Sequence, residues 1–261
     1  MQGSPMLSVV VPVYNEIDTI ELVLTRVAGA LPHVRKQVIV VDDCSTDGTR
    51  EWIERNIPIG GDETWSVESH GDGKLKLTAT SGDSVGGVRL TRVLLPRNCG
   101  KGGAVRAGFE CVAGDVIVVQ DADLEYDPAD WALMYELIVE RGVADVVYGS
   151  RFHGRPHRSL FYHHYLGNRL ISVLFNVLYD QTLSDVEVCY KMMSRAALES
   201  LDLTADDFGF EIEISAQLAR QRRWRIYEVG ISYFGRTYDE GKKITWRDGL
   251  KALYYLFRFR F

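Results

Sequence analysis

Short β-branched runs alternate with helical periodicity through the first half of the chain. Residues 7–13 (LSVVVPV), 38–41 (VIVV) and 116–119 (VIVV) are continuous apolar stretches of the kind buried on both faces of a parallel sheet. Helices are expected to begin near Asp18 and Asp47, where Asp or Thr can cap exposed amides. A third should begin near Gly103, where a glycine-rich turn opens into AVRAGFECV. This βα alternation predicts an α/β fold whose first half binds a nucleotide. Residues 58–90, rich in Gly, Ser, Thr and Asp, read as an inserted excursion in which KLKLTAT and GGVRLTRVLL alternate enough for a small hairpin or an edge strand, with a disordered loop as the alternative. The second half holds a basic, histidine-rich stretch, the helical run GNRLISVLFNVLYD, and then SDVEVCYKMMSR and FGFEIEISAQLARQ. The tail TWRDGLKALYYLFRFRF reads as an amphipathic helix that docks on its own domain in preference to lying on a membrane surface.

Composition narrows the class. With 261 residues, 46% apolar and 25% charged, the chain suits one large folded domain and not a disordered or collagenous one. The cysteines at 44, 99, 111 and 189 form no C-x-x-C pair, which argues against a zinc site or a disulfide framework and for a reducing cytosol. The start MQGSPMLSVVVPVYNE has no basic n-region and reads as a strand, so no signal peptide is expected. No window reaches the roughly 18 apolar residues that span a bilayer. Although the net charge is −6, residues 220–261 carry eleven Lys or Arg against four Asp or Glu, a basic face for an anionic partner. No nucleic-acid partner is expected.

Chemistry concentrates at three places. Asp121 and Asp123 follow VIVVQ, so they sit where a buried strand ends, the usual place for ligand sites in open α/β sheets. Two carboxylates this close repel unless a cation intervenes, and Mg²⁺ or Mn²⁺ accepts carboxylate together with phosphate oxygens. Glu125 adds a third oxygen ligand within reach. In VVDDCSTDGT the carboxylate of Asp43 can hydrogen-bond a base or ribose, with Asp42 as buried support and Asp47 as helix cap. In RNCGKGGAVRAG the glycines allow close approach of backbone to an anion and Lys101 supplies charge, although no Walker A motif is present.

Taken together, VVVPVYNE, VVDDCSTDGT, NCGKGGA and QDADLEYDP resemble, in order and spacing, family 2 glycosyltransferases of the GT-A fold. GSR at 149–151, SDVEVCYK and EVGISYFGRTYDEGKKITWRDG most resemble the polyprenyl-phosphate (dolichol-phosphate) mannose and glucose synthases. The resemblance implies a single GT-A domain, with a nucleotide-sugar half (1–130) and an acceptor half (131–261). It also implies that Pro12, Tyr14, Glu16 and Asp43 contact the nucleoside, that Lys101 and Asp121 lie near the diphosphate, and that Asp123 with Glu125 completes the metal site.

The expected reaction is an inverting hexose transfer from a nucleotide sugar of the GDP-mannose or UDP-glucose type. The leading acceptor is a polyprenyl phosphate at the cytoplasmic face of a membrane, gripped by Arg151, Arg169, Arg236, Lys242 and Lys243. The alternative is a saccharide or small-molecule hydroxyl, for which Asp185 would act as base or else pair with one of those arginines. A third possibility is a non-catalytic sugar-nucleotide-binding protein. Glu211 and Glu213 support the acceptor side or form salt bridges, and the histidines at 153, 157, 163 and 164 are given no ligand role.

Overall fold

The computed structural model describes residues 5–57, 64–69, 75–80, 87–153, 156–158, 161–237 and 246–261. Its first part runs β1 (Leu7–Val13), α1 (Ile20–Gly29), β2 (Lys36–Asp42), α2 (Thr49–Asn56), β3 (Thr64–Ser69), β4 (Leu75–Thr80), β5 (Val88–Leu94), α3 (Gly100–Phe109) and β6 (Val116–Val119). The rest comprises α4 (Trp131–Tyr135), β7 (Val146–Ser150), α5 (Tyr162–Tyr179), β8 (Lys191–Ser194), α6 (Arg195–Glu199), α7 (Phe210–Gln221), β9 (Ile226–Gly230) and α8 (Trp246–Arg258).

The described strands join one sheet in the order β4-β3-β5-β2-β1-β6-β8-β7-β9. At its centre β5, β2, β1 and β6 run parallel, while β8 is antiparallel to both β6 and β7. This is the predicted GT-A arrangement. Alternation along β1 explains the two-sided burial: Val9 and Val11 pack with Ile20, Val23 and Val27 of α1, whereas Val10 packs with Ile39, Val41 and Ala104 on the other face.

The excursion after α2 is more ordered in its pairing than a loop. β4, within KLKLTAT, forms an antiparallel hairpin at the sheet edge, but its partner is β3 and not GGVRLTRVLL. Yet β5 is no edge strand. It pairs in parallel with β2 from Lys36↔Val88 to Asp42↔Leu94, so the boundary expected at residue 90 falls inside a central strand. The tail behaves as expected: α8 packs against α5 and α7, with the Tyr179 hydroxyl donating to the Leu256 carbonyl at 2.9 Å and Arg220 to the Phe259 carbonyl at 3.0 Å. Among the described residues no helix is long and apolar enough to cross a membrane.

Helix α3 starts at Gly100, three residues before the expected Gly103, and Gly100 and Gly102 pack closely on the backbone of residues 205–207. Gly100 has φ +76°, and a Cβ on Gly102 would collide with the Ala205 carbonyl oxygen. The Gly103 amide donates to the Asp206 carbonyl at 3.2 Å. Gly102→Ala should therefore separate α3 from the 205–207 segment and destabilise the fold by about 1–3 kcal/mol, read as a lower midpoint in thermal or urea unfolding. An unchanged midpoint would show that the contact is dispensable.

Candidate active site

Three parallel strands end at the same edge of the sheet, and the chain turns sharply after each. Asn15, Cys44 and Leu124 all adopt positive φ (53°, 63° and 63°), a conformation that non-glycine residues hold only when their surroundings impose it. The turns are also tied to each other: the Asn15 amide donates to the Ser45 hydroxyl at 3.0 Å, and Asn15 Oδ1 accepts from the Thr46 amide at 2.8 Å. Above them opens a cavity of about 330 Å³ lined by Pro12, Tyr14, Glu16, Asp43, Lys101, Asp121, Asp123, Glu125, Arg151 and Arg236 among others. Of the predicted site residues that are described, Asp185 and Arg169 are missing from this lining.

The acidic residues that follow β1 and β2 are held by local hydrogen bonds and ion pairs. Asp43 Oδ1 accepts from the Cys99 amide at 2.6 Å, and burial pushes its carboxyl up against the pull of nearby amides. Asp42 is fully buried and accepts from Arg50 Nε at 2.6 Å, which makes it a support for the turn. Asp47 accepts from the Thr49 amide and hydroxyl at the start of α2. Glu16 pairs with Arg236 at 3.1 Å and accepts from the Thr19 hydroxyl at 2.9 Å. That threonine also donates to the Ala122 carbonyl at 2.7 Å, locking the first turn against the acidic triplet.

Lys101 Nζ sits 2.7 Å from Asp121 Oδ1 and 2.9 Å from Oδ2. Burial works against this ammonium, but Asp121 and Glu211 hold its pKa well above the ordinary lysine range. Half-buried Asp123 is pushed up to about 8 by loss of water contact and by the Asp121 and Glu125 charges. Among the described residues no three His, Cys, Asp or Glu side chains form a ready metal cluster. Asp121 and Asp123 fit a divalent ion that completes its shell with phosphate oxygens, since such an ion would relieve the repulsion that raises Asp123. Glu125 is placed otherwise than expected for a free ligand. Its Oε2 accepts from the Tyr233 hydroxyl at 2.8 Å and its Oε1 from the Arg236 amide at 2.7 Å, so it tethers the 233–236 segment over the cavity.

The acceptor half departs further from expectation. Asp185 is fully buried, and both its oxygens are taken by Arg151, through Nε and Nη2 at 2.7 Å each and the backbone amide at 3.1 Å. Its own amide and that of Ser184 donate to Glu228, which fixes the segment. Asp185 is thus buried with both oxygens engaged by Arg151, the arrangement expected of a structural partner of an arginine. Arg236 is committed to Glu16, and Arg169 donates to the Ser184 carbonyl at 3.3 Å. Lys242 and Lys243 lie outside the described residues.

The residue that sequence reading passed over is Glu187, two positions beyond Asp185 and separated from it by a turn. It lines the cavity and makes no hydrogen bond or ion pair among the described residues. Burial raises its pKa to about 7, against the pull of Arg151. The signal was present as a carboxylate inside SDVEVCYK, but only the turn at Val186–Glu187 directs Asp185 away from the cavity and Glu187 into it. Tyr233, whose ring lies 5.4 Å from the Arg151 guanidinium, was likewise not singled out.

A GT-A sheet that ends in a cavity carrying an Asp-x-Asp pair defines the nucleotide-sugar transferase class. The chain belongs to glycosyl transferase family 2, whose profile matches residues 8–70 and 83–202. It is 28% identical over 240 residues to the undecaprenyl-phosphate mannosyltransferase of Micrococcus luteus, covering 89% of this chain and 85% of that one. To the low-salt glycan biosynthesis hexosyltransferase of Haloferax volcanii it is 29% identical over 89% of this chain, but it spans only 49% of that protein's length. Among solved structures, glucosyl-3-phosphoglycerate synthase from Mycobacterium tuberculosis, in complex with Mn²⁺, UDP and phosphoglyceric acid, superposes with a TM-score of 0.66. The identity is 18%, covering 98% of this chain and 78% of that one.

Two outcomes are expected of the site. Asp185→Asn leaves the buried Arg151 charge without its counter-ion and should destabilise the protein by about 3–5 kcal/mol, seen in equilibrium unfolding. Because Asp123 is held protonated below about pH 8, an ion binding there must displace a proton. Mn²⁺ affinity of the ligand-free protein should thus fall up to about tenfold per pH unit below that point and level off above it, as read by electron paramagnetic resonance. Affinity that ignores pH would remove Asp123 from the ion site.

Proposed function

We propose that this family 2 enzyme is an inverting transferase that moves a hexose from a nucleotide sugar to a hydroxyl of its acceptor, with Glu187 receiving the hydroxyl proton. The carrying observation is the placement of Glu187, a carboxylate in the cavity with no partner among the described residues. Charge supports the same reading. Seven acidic side chains line the cavity against three basic ones, and Lys101, Arg151 and Arg236 are each already paired with a carboxylate. None of the three lining cations is left over to neutralise a phosphate nucleophile, whereas a hydroxyl nucleophile needs a base and not a further cation. The fold neighbour from Mycobacterium tuberculosis, solved with phosphoglyceric acid, is a precedent for a small acceptor on this scaffold.

In this reading Pro12, Tyr14 and Asp43 receive the nucleoside, and Lys101 lies beside the diphosphate. Asp121 and Asp123 would hold Mg²⁺ or Mn²⁺, which when bound neutralises charge growing on the departing diphosphate. The acceptor oxygen forms a bond to the anomeric carbon as the bond to the diphosphate oxygen breaks. Its proton passes to Glu187, and the bonding pair leaves with the nucleoside diphosphate. Arg151, fixed by Asp185, lies beside this carboxylate and favours its ionised form. Glu125 keeps the 233–236 segment, including Arg236, over the reacting groups.

A second reading, transfer to a polyprenyl phosphate at a membrane surface, is favoured by one observation. Helix α5 leaves Tyr162, Leu166, Leu170, Val173 and Val177 exposed at helical spacing, and α8 does the same with Leu250, Tyr254 and Phe257. The relative from Micrococcus luteus is named for undecaprenyl phosphate. Such an enzyme would work peripherally at the cytoplasmic face.

The two readings separate in one assay. Mn²⁺, UDP-glucose or GDP-mannose, and either a hydroxyl acceptor panel or a polyprenyl phosphate are supplied, and solvent-extractable product is counted apart from water-soluble product. Soluble product is expected, and Glu187→Gln should lower kcat by roughly 10²–10⁴ while leaving donor binding intact. Product found only in the lipid fraction, with Glu187→Gln near wild type, would install the second reading instead.

A further inference from the structure

A buried carboxylate oxygen without a hydrogen bond is costly, and Glu211 carries one. The residue is 4% exposed, on the first turn of α7. Its Oε2 accepts from Lys191 Nζ, but its Oε1 is buried with no hydrogen-bond partner. That oxygen lies 3.7 Å from Lys101 Nζ, too far for a hydrogen bond and close enough to become one with a small side-chain movement. The Lys101 ammonium meanwhile straddles both oxygens of Asp121, and it is held near the rings of Phe208 and Phe210 at 5.7 and 5.6 Å.

We infer that Lys101 is an exchangeable cation: it occupies Asp121 when the site holds no metal, and moves onto Glu211 Oε1 when a divalent ion takes Asp121. Both cations need the same carboxylate oxygens, and the like charges of an ammonium and a divalent ion cannot share them without strong repulsion. Glu211 then serves as a positioning residue. It receives the displaced ammonium, satisfies its own orphaned oxygen, and keeps a positive charge beside the diphosphate. Lys191 holds the other Glu211 oxygen throughout, so the carboxylate does not follow Lys101 out of its pocket. The ion's entry thereby loses one favourable contact, Lys101 with Asp121, and gains another, Lys101 with Glu211. This inference rests on the reading that Asp121 holds the metal, and it is independent of the acceptor.

The test is a double-mutant cycle on Mn²⁺ binding without substrates, read from free Mn²⁺ by electron paramagnetic resonance, with each variant's folding checked by thermal unfolding. Glu211→Gln alone should weaken Mn²⁺ binding about tenfold, because displaced Lys101 has no anion to receive it. Lys101→Met alone should tighten binding, since the competitor for Asp121 is gone. In the Lys101→Met background, Glu211→Gln should leave Mn²⁺ affinity nearly unchanged. An equal loss in both backgrounds would overturn the exchange and leave the metal site standing. Failure of every variant and of the wild type to bind Mn²⁺ would overturn both the exchange and the metal assignment. Should Glu211→Gln fail to fold, Glu211→Asp serves in its place: shortening the side chain withdraws the receiving oxygen, so the same Lys101-dependent loss is expected, and Lys101-independent loss refutes the inference.

Discussion

The constraint on which this molecule turns is an excess of negative charge in a partly enclosed space. Seven carboxylates and three cations share the cavity, and the parallel sheet is what forces them together. Strands β1, β2 and β6 are buried on both faces and run in one direction, so the polar residues that follow them have a single edge at which to emerge. Tight turns at Asn15, Cys44 and Leu124 then fold those residues over the edge instead of letting them spread into solvent. The same burial that stabilises the sheet therefore concentrates Asp43, Asp121 and Asp123, and each cation present is used to hold part of that charge in place.

Much of this was legible from residue order. Apolar runs located β1, β2 and β6 because strands covered on both faces have few ways to be anything else. The donor-side residues Pro12, Tyr14, Glu16, Asp43, Lys101, Asp121 and Asp123 were named with the help of the family resemblance, and all of them line the cavity near the ends of strands or, for Lys101, at the start of α3. The role of β5 was not legible: its residues alternate as an edge strand would, and only pairing with β2 makes it central. What packs against glycines 100 and 102 was not legible for a related reason. Their sequence says that something approaches closely, but not that it is the backbone of residues 205–207 from a hundred positions away.

The acceptor side was harder to read because long-range pairing, and not local chain direction, assigns its roles. Asp185 and Glu187 are chemically near-equivalent and two positions apart. Arg151, at the end of β7, takes both oxygens of the first and leaves the second to the cavity. Glu125 shows the same effect in the donor half, since its oxygens are claimed by a segment more than a hundred residues later. In each case the identity of the carboxylate was evident and its availability was not. Availability depends on which distant donor reaches it first, a property of the folded chain that spacing along the sequence does not encode.

Seen this way, the glycine run and the acidic pair are parts of one device. Lys101 lies on α3 and Glu211 on α7, and the distance between their charged groups is set by how closely those helices approach. A side chain at Gly102 would collide with the Ala205 carbonyl, and the Gly103 amide is bonded to Asp206, just ahead of α7. The absence of side chains at 100 and 102 is thus what brings an ammonium to within 3.7 Å of an unsatisfied carboxylate oxygen while it remains in contact with Asp121. A wider separation would strand the Lys101 ammonium on Asp121, and a closer one would take it away altogether. The close packing of two helices accordingly governs how readily the acidic triplet gives up its internal cation.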